Sequence, residues 1–95
     1  MNTVTDTHVL KRKTNQPEQF DPVKLHSSIV AACLAVRAHD GEAHLTAERV
    51  CRHVLDWLTT KSEVTSADIR RVAAAHLSNY HSEASYMYEH HPLMV

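Results

Sequence analysis

Glu18-Gln19-Phe20-Asp21-Pro22-Val23-Lys24-Leu25 decides the fold, because an extended segment ends and a helix begins within these eight residues. Asp21 can accept a hydrogen bond from a free first-turn amide, and Pro22 at the first helical position gives up no needed donor. Leu25, Ile29, Cys33 and Val36 then recur on one face with Ala32 beside them, so the spacing predicts a helix to about Arg37 or Ala38. Upstream, His8 to Lys13 and Glu18 to Phe20 flank Thr14-Asn15-Gln16-Pro17, a run of turn formers, and a small hairpin is expected there.

Downstream, His39-Asp40-Gly41-Glu42 is read as the end of the first helix. Thr46 is read as the cap of a second, which carries Val50, Val54, Leu55 and Leu58 on one side with Cys51 near them. Lys61 to Glu63 connects to Thr65-Ser66-Ala67-Asp68, a reciprocal capping box, after which Ile69, Val72, Ala73, His76 and Leu77 mark a third helix. Ser82 is placed as the cap of a short fourth helix through Ala84, Tyr86 and Met87, stopped by Pro92. The expected class is α+β: a small four-helix bundle capped by an N-terminal β-hairpin. Residues 7–91 form its one domain, between a frayed start at 1–6 and a tail at 92–95.

Composition narrows the function. The chain has 95 residues, and its net charge of -1 gives no bulk attraction for duplex DNA. It has a single glycine, Gly41, which rules out a Walker A loop or a dinucleotide fingerprint, since both wrap phosphates with several glycines. No apolar run approaches the length needed to cross a bilayer, and the expected location is cytoplasmic. Cys33 and Cys51 lack a CxxC partner and read as buried small hydrophobes. None of the nine histidines has a zinc spacing with a closing pair, whether His53 near Cys51, His76 with His81, or His90 with His91. No Ser-His-Asp order or paired catalytic carboxylates are evident, so no catalysis is expected.

Charge is concentrated at one end. Lys11 and Arg12 are adjacent, Glu18 lies on the returning segment, and Lys24 is in the first helical turn, where unpaired amides also favour anions. Such a set could hold a polyphosphate without glycines. Equally, Lys11 to Lys13 could simply keep an edge strand soluble.

Val9-Leu10-Lys11-Arg12 followed by Glu18 to Leu25 resembles the opening signature of the ATP-cone, V-x-K-R and then E-x-F-D-x-x-K-L. Val64-Thr65-Ser66-Ala67-Asp68-Ile69 is similar to its second signature, and Glu83-Ala84-Ser85-Tyr86-Met87-Tyr88 to its closing A-x-Y segment. The resemblance implies a four-helix bundle capped by a hairpin extended to a three-stranded sheet, with a third strand near Glu63 to Thr65, and a noncatalytic regulatory module that binds ATP or dATP, with Mg2+ accompanying the phosphates. It would report nucleotide state through quaternary contacts with ribonucleotide reductase, a transcriptional regulator or copies of itself. By the same resemblance Lys11, Arg12 and Lys24 grip phosphates, Val9 lines the base and sugar pocket, and Glu18 and Asp21 approach the nucleoside. Thr65 joins the site at the third helix start, with Arg70 and Tyr86 at its margin. His8 and His26 stand close in sequence to the phosphate grip. The family hairpin usually turns on Asp-Gly, whereas Lys13 to Pro17 has no glycine and is about one residue longer. A protein-interaction adaptor that has lost the ligand is the competing expectation.

Overall fold

The computed structural model describes residues 8–10 and 17–90, with side chains from Phe20 to His90. The expected frayed start, the turn residues Thr14 to Gln16 and the tail with Pro92 lie outside the described residues.

Helix α1 runs Pro22–Ala35, where the sequence chemistry starts it: the Asp21 carboxylate accepts the Val23 amide at 3.0 Å. Its end is earlier than the apolar spacing suggests, and the reason is backbone geometry. Arg37 takes a left-handed conformation at φ 66°, while the Ala38 amide donates to the Cys33 carbonyl and the Arg37 amide to that of Leu34. Those two bonds close the helix in the way a glycine usually permits, here with an arginine.

Helix α2, Asp40–Leu58, starts six residues before the expected cap. Thr46 is therefore inside the helix, and His39-Asp40-Gly41-Glu42 opens it instead of ending α1. Ala43 and Ala47 extend the buried stripe of Val50, Val54 and Leu58 backwards, and Asp40 and Glu42 suit the positive end of the helix dipole. No side chain caps it at His39.

Helix α3, Ser66–Leu77, follows the three-residue strand β3, Glu63–Thr65. The capping box is present in both directions: the Asp68 amide donates to Thr65 Oγ1 at 3.0 Å and the Thr65 amide to the Asp68 carboxylate at 3.1 Å. These bonds, with that of Arg71, hold the half-buried Asp68 carboxyl below its usual range. Thr65→Ala should cost about 1 kcal/mol, the ordinary worth of such a cap, and lower the thermal midpoint by roughly 4–8 °C. Differential scanning calorimetry checks this.

Helix α4 spans Ser82–His90. Ser82 is its first residue and not its cap; the Ala84 amide instead donates to the ring Nδ1 of His81 at 3.3 Å. The four helices pack in the cyclic order α1, α2, α3, α4 and back to α1. They enclose a core that includes Ile29, Val50, Val54, Leu58, Leu77 and Tyr88, all fully buried. Ser85 ties α4 to α3 by donating to the Ala74 carbonyl at 2.7 Å.

The α+β expectation is corrected. Residues 20–90 are 76% helical, hold one short strand, β3, and form no sheet among themselves, so the protein is a small helical protein and not a bundle under a β cap. Outside that span, two further three-residue segments have extended backbones, β1 at His8–Leu10 and β2 at Pro17–Gln19. The order is β2-β1-β3, with Val9 opposite Glu18 in the antiparallel pair and opposite Val64 in the parallel one. Elements this short cannot form a layer; they fringe a core closed by the helices. No helix among the described residues is long and apolar enough to cross a membrane.

Candidate functional site

The nine expected site residues fall into three groups. Lys11 and Arg12 lie outside the described residues. Val9 and Glu18 are placed by backbone register alone, as direct partners across β1 and β2. The other five have described side chains.

The far side of β1 matters most. Leu10 pairs with Thr65, so the end of β1 stands beside the residue that caps α3. Three segments separated in sequence, around Val9, Glu18 and Thr65, are thereby adjacent. The second runs through Phe20 into the first turn of α1, where Lys24 is exposed and Asp21 is committed to the Val23 amide. Thr65 is half-buried, and its hydroxyl oxygen accepts the Asp68 amide.

Arg70 is engaged elsewhere. Its Nη1 donates to the Tyr88 carbonyl at 2.6 Å, and its guanidinium lies 5.0 Å from the centre of the Tyr88 ring. The arginine thus satisfies a carbonyl at the end of α4, where no intrahelical donor remains. Tyr86 is 62% exposed and touches the His90 ring at 4.2 Å between centroids. The aromatic that α4 turns inward is Tyr88, whose hydroxyl is paired with that of Ser28 at 3.1 Å. The A-x-Y spacing selects Tyr86; the helical spacing of four from Ala84 to Tyr88, which puts both on the inner face, is the usable signal.

Histidines pair across helices in ways the sequence spacing does not reveal. His53 on α2 stacks on His76 of α3, with ring centroids 4.6 Å apart and an interplanar angle of 1°, and His53 Nε2 is 3.1 Å from the Tyr80 hydroxyl. Arg49 lies over the Tyr80 ring at 6.0 Å. Burial, and then the charge of His53, push the His76 pKa below its ordinary 6.5. A neutral His76 therefore suits the folded state. Stability is complete above the unfolded value and falls as pH drops below about 6.5 towards the lowered folded value. The thermal midpoint should decline over that window, and less steeply in His76→Gln; calorimetry across the pH series reads both.

Both cysteines are free thiols and buried. Burial pushes the Cys51 thiol up to about 11, and burial followed by the nearby Glu42 charge raises that of Cys33. Among the described residues no group of three or more His, Cys, Asp or Glu is arranged to hold a metal. An open cavity of about 490 Å³ lies between the start of α1 and the second half of α2, with Val23, His26, Cys51 and Leu55 in its wall. No protein-family model matches the chain, and no curated protein or solved structure matches it.

Proposed function

We propose that the chain is a noncatalytic adenine-nucleotide-binding module that acts by nucleotide-dependent association with another protein. The supporting observation is the register of β1. It lies between the Glu18 segment and the Val64-Thr65 segment, so the two parts of the stretch that resembles the opening ATP-cone signature run beside the stretch that resembles the second. An exposed lysine, Lys24, stands in the first turn of α1, the helix that continues from the Glu18 segment. A polyphosphate is suited by such a cation. Mg2+ would travel with the phosphates and needs no protein cage. Ribonucleotide reductase or a transcriptional regulator is the class of partner the resemblance points to.

Titration calorimetry with ATP, dATP and GTP, with and without Mg2+, is the test. Binding of the adenine nucleotides in preference to GTP is expected; no heat at millimolar adenine nucleotide overturns the proposal. The commitment of Arg70 to the Tyr88 carbonyl favours a second reading, an adaptor that binds its partner without nucleotide. Partner binding that survives Lys11→Ala/Arg12→Ala, with no nucleotide bound, would select the adaptor.

A further inference from the structure

The face shared by α1 and α2 has a pattern that the nucleotide proposal leaves unused. On α1, Val23 is 70% and Leu34 42% exposed, with half-buried Val30 between them at helical spacing. On α2, Leu45 is 47% exposed and Leu55 is half-buried. Between those leucines, at spacings of three, four and three, stand Glu48 and Arg52, an exposed pair with 3.6 Å between Oε1 and Nη2. His26 Nε2 and His44 Nδ1 approach to 3.4 Å and join the two helices along this side.

The α2 stripe reads the same in both directions about Val50, as leucine, charge, charge, leucine, with the two charges opposite in sign. Two such stripes related by a two-fold axis near Val50 would set each Glu48 against the other copy's Arg52, and each Leu45 against the other Leu55. Closed dimers require this kind of self-complementarity, in which one patch meets itself. We infer that the α1–α2 face is the dimerisation surface of this chain, with a second copy docked antiparallel along α2. Val23 and Leu55, in the wall of the cavity between the helices, give the incoming Leu45 an apolar seat. The stripe from Leu45 to Leu55 is only about 15 Å long. A contact of that length belongs with small, weak interfaces, so association is expected at high micromolar to millimolar chain.

This inference does not rest on nucleotide binding. Sedimentation equilibrium of the full chain, at low salt, with and without ATP or dATP, should give twice the monomer mass in at least one condition. Glu48→Arg or Arg52→Glu alone sets like charges opposite each other, and each should weaken dimerisation by roughly a hundredfold. Mixing the two single variants, or combining both changes in one chain, should restore it. Both side chains are mostly exposed, at 66% and 72%, so the fold should be kept, which far-UV circular dichroism verifies. A monomer at millimolar chain in every condition overturns the inference, including one in which residues 1–7 or 91–95 cover the face. So does a dimer that either single variant leaves unchanged.

Discussion

Tyr88→Ala is expected to destabilise the protein by about 4 kcal/mol, the usual cost of emptying an aromatic site in a core. That is a large share of the roughly 5–14 kcal/mol that a domain of this size has in total. Tyr88 is the largest fully buried side chain among the described residues, and α4, only nine residues long, holds the bundle chiefly through it, Ala84 and Ser85. The residue ties α4 to two other helices. Its hydroxyl meets Ser28 on α1, Arg70 of α3 covers its face, and its own carbonyl takes the Arg70 guanidinium. Tyr88→Phe keeps the volume and loses only the hydroxyl pair. Ser28 still donates to the Leu25 carbonyl at 2.7 Å, so the expected cost is about 1 kcal/mol. Urea unfolding monitored by circular dichroism separates the two, as a large and a small drop in midpoint at constant slope. Equal losses in both variants would show that the hydroxyl network, and not ring packing, holds α4.

How much of this was legible depends on where the stabilising groups lie in sequence. The starts of α1 and α3 rest on side chains that bond amides two or three residues away, and so Asp21-Pro22 and Thr65 with Asp68 announce them. The junction between α1 and α2 is opaque for the opposite reason. Its one glycine, Gly41, sits in the first turn of α2, while the left-handed residue that closes α1 is Arg37, a type that rarely adopts that conformation. Punctuation by glycine therefore points to the wrong place. The class reads wrongly from sequence because residues 8–10 and 17–20, with Val9, Leu10 and Phe20 their few apolar side chains, carry β character without the length to build a layer. In the candidate site, residue types near Glu18, Lys24 and Thr65 are readable from sequence. The neighbour relation of Val9 to Val64 spans most of the chain and depends on how the helices close, as does the stacking of His53 on His76. The bond from Arg70 to a terminal carbonyl of α4 likewise joins residues eighteen apart, and no signature announces it.

Lys11→Ala/Arg12→Ala should abolish most nucleotide affinity while leaving the fold intact. Hydrogen bonds to a charged group are worth about 1.5–3 kcal/mol each, so losing two predicts a fall of roughly a hundredfold to ten-thousandfold for ATP. Lys24→Ala removes one further cation, from the exposed first turn of α1, and should cost roughly tenfold or more by the same arithmetic. Neither change touches the described core, so thermal midpoints without nucleotide should match the parent. With saturating ATP, the parent alone should gain stability, because a ligand that binds only the folded state shifts the equilibrium towards it. Two features make the effect diagnostic of phosphate binding. The loss should be similar for ATP and dATP, which share the triphosphate, and the parent's affinity should weaken with added salt, since the attraction is ionic. If the double variant binds ATP as the parent does, the cations next to β1 are only a solubilising edge, and any nucleotide site must lie elsewhere on the helical body.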